Sequence, residues 1–319
     1  MRIYRYREVL QPGMAVGSRA ARLAVAVADG PVVRLDEVLE RSDRSGEVPP
    51  SVSTSLAEFV EAGPELWSFA HQIVEGAGSD PELSVDLGDP RIELLSPLDR
   101  CASLRDFLAF EDHVQNGARR RGGEVPDYWY EAPVYYKGNH RQWVDPEAQC
   151  PWPPYTDFFD FELELAMIVG RPGSDIPKET AAEHIFGFTI LNDFSARDVQ
   201  MKEVTAWLGP AKGKDFANAL GPCIVTADEI GTEPDLEMIC RVNGEEWGRG
   251  RSGSKHWSWS DMIAYVSISE DIYPTDVYGS GTPGGCCGLD LGRKLEPGDL
   301  VELEIERIGT LRNVVGLRP

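Results

Sequence analysis

The chain has 319 residues, 42% of them hydrophobic and 9% aromatic, enough for a large core. Its formal net charge is −22, so its surface repels nucleic-acid phosphates and anionic membrane, and an anionic substrate needs a local cation, either a metal ion or a basic cluster. The acids are dispersed without a charged tail, and no run approaches the ~18 apolar residues of a membrane-spanning helix.

The opening residues, Met1 to Arg7, lack the apolar core of a secretory signal. Cysteines at 101, 150, 223, 240, 286 and 287 form no C-x-x-C pair, which argues against a zinc ribbon. Cys286 and Cys287 are expected as small buried thiols in a reducing cytosol, with redox activity as the alternative. Residues 1–91 read as a small β-rich domain. Arg2 to Tyr6 alternates, and Ala21 to Leu35 reads as a strand pair about the turn Asp29-Gly30. Residues 41–53, rich in Ser, Pro, Glu and Arg, are expected as a loop. Short amphipathic helices follow at Ser55 to Glu61 and Pro64 to Val74, and Gly76, Gly78 and Ser79 close the unit.

Residues 92–319 read as a second, larger domain. Phe107, Phe110, Val114 and Ala118 recur at helical spacing, predicting one helix over Leu104 to Gly122 with Asp106 and His113 roughly on one face. Acid neighbours Glu111 and Asp112 would favour a charged imidazole at His113. The run Arg119 to Arg121 is a solvated face or a carboxylate contact. Ala132 to Gly138 reads as a strand, with Tyr136 and Lys137 as candidates to touch a substrate.

The stretch Phe158 to Gly170 alternates: Phe161, Leu163 and Leu165 share one face of a strand, and Asp160, Glu162 and Glu164 the other. Residues two apart lie roughly 6.6 Å apart along a strand, so Glu162 and Glu164 can converge on one small object. Without a counter-charge they repel, and a divalent cation removes that conflict; oxygen-only ligands suit Mg²⁺ or Ca²⁺. The plain alternative is a half-exposed strand whose acids face water. Ile185 to Leu191 then reads as a β-run ending in Asn192-Asp-Phe-Ser-Ala-Arg-Asp-Val-Gln200, with Asp193 as a third oxygen ligand.

Further on, Leu236 to Trp247 is a hairpin about Asn243-Gly244, and Trp257 to Val266 a helix capped near Ser258 or Ser260. Leu295 to Asp299 turns into a last alternating strand, Leu300 to Glu306. Gly279 to Gly284 fits G-x-G-x-x-G by letters, but Pro283 stands where a helix should start, so no dinucleotide site is expected. Gly209 to Lys214 is one residue short of a P-loop and lacks its Ser or Thr. The expected fold class is α+β, mostly β, mixed and largely antiparallel.

The order Asp106-x6-His113, Glu162-Leu-Glu164-Leu, the 184–200 run with N-D-F-S-A-R-D-V-Q, Gly209-Pro-Ala-Lys-Gly-Lys-Asp-Phe216 and Ser280-Gly-Thr-Pro283 resembles the fumarylacetoacetate hydrolase superfamily over roughly residues 90–319. The resemblance implies a C-terminal β-sandwich roll and a site for Mg²⁺, Mn²⁺ or Ca²⁺ on Glu162, Glu164 and Asp193, with Asp106 as a fourth acid. It implies that His113 activates water, that Lys214 lies near the metal, and that Arg197 steadies developing negative charge. Gln200 and Thr282 would hold substrate. The histidine's usual glutamate partner is replaced by Asn116 at one position, leaving Asp290 as the nearest equivalent. Two substrate-contacting tyrosines are replaced by Leu108 and Val204, which implies a more apolar pocket and a substrate other than fumarylacetoacetate. The implied activity is metal-dependent cleavage of a C–C bond in a 1,3-dioxo or 2-oxo acid. Alternatives are a lyase acting on the same enolate (decarboxylase, hydratase or dehydratase) and a catalytically dead metal-binding homologue. A small 2-oxo acid is the expected partner, and a homodimer the expected assembly.

Overall fold

The computed structural model of the chain describes residues 1–9, 20–44, 46–78 and 80–319. Ser45, in the predicted loop, and Ser79, at the predicted close of the first unit, lie outside the described residues. In chain order the strands are β1 (Arg2–Glu8), β2 (Arg22–Ala26), β3 (Val33–Arg34), β4 (Ile92–Leu95), β5 (Leu104–Phe107), β6 (Tyr135–Gly138), β7 (Trp143–Val144), β8 (Gln149–Cys150) and β9 (Phe159–Asp160). The rest are β10 (Leu163–Val169), β11 (Ile185–Asn192), β12 (Ser195–Ala196), β13 (Asn218–Thr226), β14 (Glu237–Val242), β15 (Glu245–Arg251), β16 (Val277–Gly279), β17 (Leu300–Ile305) and β18 (Gly309–Val315).

The larger sheet runs β3-β2-β1-β13-β11-β10-β16-β5-β6, with β4 added on β1 and β7 on β13. A second sheet runs β15-β14-β17-β18-β8, and β9 pairs with β12 alone. Most neighbours are antiparallel; β5–β16, β7–β13 and β8–β18 are parallel. The mixed, largely antiparallel α+β architecture is the one expected. The N-terminal strands continue the large sheet, because β1 pairs with β13 at Arg2↔Val225 and Ile3↔Ile224. One sheet therefore crosses the predicted boundary near residue 92.

β10 separates two cores. Leu163, Leu165, Met167 and Val169 pack between the sheets with Met238, Cys240, Trp259, Leu303 and Ile305. Ala166 and Ile168, on the opposite face, join a core with Leu23, Phe59 and Phe186. Burying each large side chain contributes ~1.5–3 kcal/mol, so the strand's register is firmly set. Helices Leu56–Glu61 and Pro64–Ala77 cover that second face, the first capped by the Ser55 hydroxyl and the second placing Trp67 4.9 Å from the Phe186 ring. The acid-bearing face of β10 is thus apolar where the N-terminal helices cover it and acidic beyond them.

Several local expectations change. The single helix over Leu104 to Gly122 is two elements: β5, hydrogen-bonded to β6 and β16, and a helix over Glu111–Arg120. All four residues of β5 are buried, so a fully covered strand carried apolar residues at a spacing that mimics a helix. The long acidic strand is broken at Phe161 and Glu162 into β9 and β10, and Asp160, Glu162 and Glu164 are all buried, so the half-exposed alternative falls. Leu300 to Glu306 is not the last strand; β18 follows and pairs with β17. Leu35, read as the end of a strand, instead opens a short helix, Leu35–Glu40. The Asn243-Gly244 hairpin and the Ser258 cap form as expected, the cap reciprocated by Asp261.

Candidate active site

Buried acids gather where β5 and β11 end and β6 and β10 begin. Asp106 stands near the end of β5, Glu164 on β10 and Asp193 just after β11, and one oxygen of each lies within 4.8 Å of the others. Their crowding depends on Gly279 in β16, where an added Cβ would sit 2.6 Å from Glu164 Oε2 and 2.9 Å from Asp106 Oδ1. Gly281, at a φ of +77°, donates its N–H to Glu164 Oε2 at 2.9 Å. The Tyr136 hydroxyl donates to Asp193 Oδ2 at 2.7 Å, with Asp106 Oδ2 at 3.4 Å. Burial, and then the neighbouring anions, push the Asp106 and Glu164 carboxyls well above the carboxylate range; burial also raises that of Asp193 against the pull of Lys214.

Glu162 has a different setting. Lys214 Nζ bridges Glu162 Oε2 and Asp193 Oδ2, at 2.5 Å to each. Arg197, at the start of the helix Arg197–Thr205, places Nη2 2.8 Å from Glu162 Oε1 and donates from Nε to Asp160 Oδ2 at 2.7 Å. Asp160 is itself held by the Gly288 and Leu289 N–H groups. Burial opposes the Glu162 anion, but Arg197, Lys214 and His113 hold its carboxyl well below the usual range. Burial likewise works against the charge on Lys214, and Asp193 and Glu162 outweigh it.

His113 lies on the helix Glu111–Arg120 and faces this row. Its Nδ1 is 3.0 Å from Asp290 Oδ2 and its Nε2 3.7 Å from Glu162 Oε1. Asn116 Nδ2, Arg120 Nη2 and the Gly285 N–H also donate to Asp290. Burial would raise the Asp290 carboxyl, but the hydrogen bond and charge of His113, the Gly285 N–H and Arg120 hold it far below the ordinary range. Asp106 and His113 thus meet across a strand-to-helix turn, not along one helical face.

A cavity of 740 Å³ opens onto these groups and is also lined by Gln200, Thr282 and Tyr136. Gln200 Oε1 accepts from Arg197 Nη1 at 3.1 Å, and the Thr282 hydroxyl donates to the Leu163 carbonyl at 2.8 Å. Leu108, Val114, Val134, Met201, Val204 and Leu289 make the remaining wall largely apolar. Lys137 falls outside the site: β6 turns it away from Tyr136 into solvent, 3.7 Å from Glu270. Sequence reasoning missed Arg120 and Asp160 as anchors. The signal for Asp160 was present, since it opens the alternating acid row; nothing in the basic run singled out Arg120.

Whether these side chains suit a divalent ion can be judged from unmet needs. Asp193 Oδ1 is buried without a hydrogen-bond partner among the described residues, three carboxylates share one spot, and Gly279 leaves room for them. That oxygen-only donor set fits a hard cation of the Mg²⁺, Mn²⁺ or Ca²⁺ kind on Asp106, Glu164 and Asp193. Glu162, expected among the ligands, has both oxygens engaged by Arg197 and Lys214.

Known proteins resemble the chain in sequence and in fold. Residues 103–316 match the fumarylacetoacetate (FAA) hydrolase C-terminal family. The chain is 32% identical over 280 residues to a mitochondrial oxaloacetate tautomerase of Homo sapiens, covering 83% of this chain and 81% of that protein. It is 28% identical over 275 residues to an oxaloacetate tautomerase of Bacillus subtilis, covering 83% and 88%. Among solved structures, a fumarylacetoacetate hydrolase from psychrophilic Exiguobacterium antarcticum superposes with a TM-score of 0.74 at 26% identity, over 100% of both chains. Among the described residues no helix is long and apolar enough to cross a membrane.

Proposed function

Because the chain belongs to the fumarylacetoacetate hydrolase family, we propose that it is a divalent-metal-dependent enzyme that moves a proton beside the keto group of a small 2-oxo acid. The observation that carries this is the His113–Asp290 pair facing a row of buried carboxylates across one cavity. A cation on Asp106, Glu164 and Asp193 would supply Lewis acidity to adjacent substrate oxygens and offset the carboxylates.

The chain's own residues do the rest. With Nδ1–H donated to Asp290, His113 keeps a lone pair on Nε2 toward the substrate space. It takes a proton from the carbon next to the keto group and returns one to oxygen, so that a C–H bond breaks, an O–H bond forms and nothing is released. Asp290, fixed by Arg120 and Asn116, favours the imidazolium that exists between those steps. Arg197 Nη2 lies 2.8 Å from Glu162 Oε1 on the cavity wall, and its guanidinium charge attracts a substrate carboxylate. Gln200 and Tyr136 orient the acid.

Keto–enol tautomerisation needs no more than this, and the relatives named above carry that activity in their names. A second reading, hydrolytic C–C cleavage of a 1,3-dioxo acid, is favoured by the apolar outer wall. Leu108, Val204 and Met201 leave far more room than a four-carbon acid fills. In that case His113 would direct the proton abstraction at a water. The six free thiols suit a reducing compartment.

The test uses oxaloacetate and acylpyruvates of increasing chain length, with Mg²⁺ or Mn²⁺ and then with EDTA. Metal-dependent enol loss without new acids supports tautomerisation. Two acids from an acylpyruvate replace it with hydrolysis. No metal-dependent change with any of these compounds would sink both readings and leave a non-catalytic homologue.

A further inference from the structure

Cys287 is a buried thiol beside the active site that the scheme above leaves unused. Its backbone bridges to Glu162, and its thiol is fully buried, with no hydrogen-bond partner among the described residues. The Cys287 Sγ, a ring nitrogen of His113 and a carboxylate oxygen of Asp290 lie within 4.8 Å of one another. We propose that His113, Cys287 and Asp290 form a second metal site, for a thiophilic divalent cation such as Zn²⁺, and that filling it inhibits the enzyme by occupying the His113–Asp290 pair.

The donor chemistry separates this site from the first. Nitrogen, sulfur and oxygen together suit zinc, whereas Asp106, Glu164 and Asp193 offer only oxygen. Two ligands on tetrahedral zinc, at its usual bond lengths, lie about 3.3–3.6 Å apart. His113 Nδ1 and Asp290 Oδ2 are already 3.0 Å apart, so the remaining adjustment is a small swing of the thiol. His113 lines the cavity, which leaves the fourth position to a water. On binding, the thiol releases its proton to solvent, the Nδ1 proton of His113 is replaced by one on Nε2, and the thiolate and Asp290 carboxylate offset the ion's two charges. Burial pushes the Cys287 thiol well above its ordinary value, against the pull of Arg197 and with Asp160, Glu162 and Asp290 adding to it, so the thiolate needs the charge of the ion itself. Arg120 can keep Asp290 Oδ1 while Oδ2 gives up its hydrogen bonds from Asn116 and the Gly285 N–H and turns to the metal, so Arg120 also orients a metal ligand. The ion and the proton relay need the same atoms of His113 and Asp290, hence the inhibition.

Cobalt(II) reports such a site directly. The full chain, saturated with Mg²⁺, is titrated with Co²⁺ and read for thiolate-to-cobalt charge-transfer absorption in the near ultraviolet. The expected result is a band that saturates at one equivalent, is bleached by Zn²⁺, disappears in Cys287→Ser and survives Asp193→Asn. His113→Ala should weaken Co²⁺ binding at least tenfold. Zn²⁺ should inhibit turnover of the wild type, with at least tenfold less sensitivity in Cys287→Ser. If the serine variant fails to fold, judged by its thermal transition, Cys287→Ala takes its place. No band in the wild type, an equal band without Cys287, or a band indifferent to His113→Ala would overturn the proposal. Since the band does not depend on turnover, it fails or stands independently of the catalytic reading.

Discussion

Two ends of one acidic row obey opposite electrostatics. Asp160 and Glu162 are matched by fixed cations: Arg197 spans both, and Lys214 closes on Glu162. One pleat further on, Glu164 joins Asp106 and Asp193 in a group served by a shared lysine, a tyrosine hydroxyl and a backbone N–H. The first end has its carboxyl held low at Glu162, whereas the second has all three carboxyls pushed up. The protein neutralises its acids where it needs fixed geometry and leaves them short of positive charge where it can recruit a cation. Burial is the same at both ends, so the difference lies in the partners and not in the depth.

The sharpest way to break that contrast is a pair of isosteric changes in metal-free protein. Glu162→Gln strands Arg197 and Lys214 as buried cations, and should cost about 3–5 kcal/mol of stability in urea unfolding. Glu164→Gln replaces a carboxyl that burial and the neighbouring anions already push toward its neutral form, and should leave stability unchanged or raised. Equal losses in the two variants would mean that the two ends do not differ. Function should sort the other way. Asp193→Asn, or chelation of the wild type, should lower turnover roughly 100- to 1,000-fold by removing charge stabilisation at the reacting centre. The same variant should lose most of the heat of Mg²⁺ or Mn²⁺ binding by calorimetry; full binding heat would place the ion elsewhere.

His113→Ala tests whether the proton relay is separate from the cation end. It should lower kcat by about 100-fold while keeping the calorimetric heat of Mg²⁺ binding. Loss of both would merge the relay with the metal cluster.

How much of this was legible in the residues follows from the physics of each piece. The acid row was readable because a strand's period of two puts Asp160, Glu162 and Glu164 on one face whatever covers it. Their division was not, since Glu162 and Glu164 look alike in sequence and differ only through Arg197 and Lys214, which arrive 35 and 52 residues after Glu162. The family motifs brought into view residues that the fold gathers at one place, and His113 does meet Asp290, as the substitution at Asn116 suggested. Asn116 keeps a place there as a donor to Asp290. β5 was misread as helix because a strand covered on both faces loses its alternation, and Phe107 and Phe110 then fall at a helical interval. β18 was missed because its buried positions include Asn313, whose amide is satisfied by the Asp145 and Ala148 carbonyls, a partnership that no local pattern announces. Lys137 was an even choice between two faces, and the pairing of Asp106 with Tyr136 turned it outward.

The smallest expected effect concerns Asp290, which belongs with the compensated end although it lies across the cavity. Its carboxylate accepts from His113, Asn116, Arg120 and the Gly285 N–H, and it titrates below an ordinary aspartate. A carboxyl held low in the folded state binds its proton more readily when unfolded, so its stabilisation is complete above the unfolded value of about 3.9 and fades as pH falls below it. Asp290→Asn should therefore cost on the order of 1.5–3 kcal/mol at pH 7, the worth of a charged hydrogen bond. The gap to wild type should stay level down to about pH 5 and narrow below about pH 4, as the wild type loses the charge that the variant never had. Urea midpoints for both proteins across that range give the measurement. A gap that widens in acid would mean that the Asp290 site favours the neutral carboxyl, and Asp290 would then belong with Glu164 and not with Glu162.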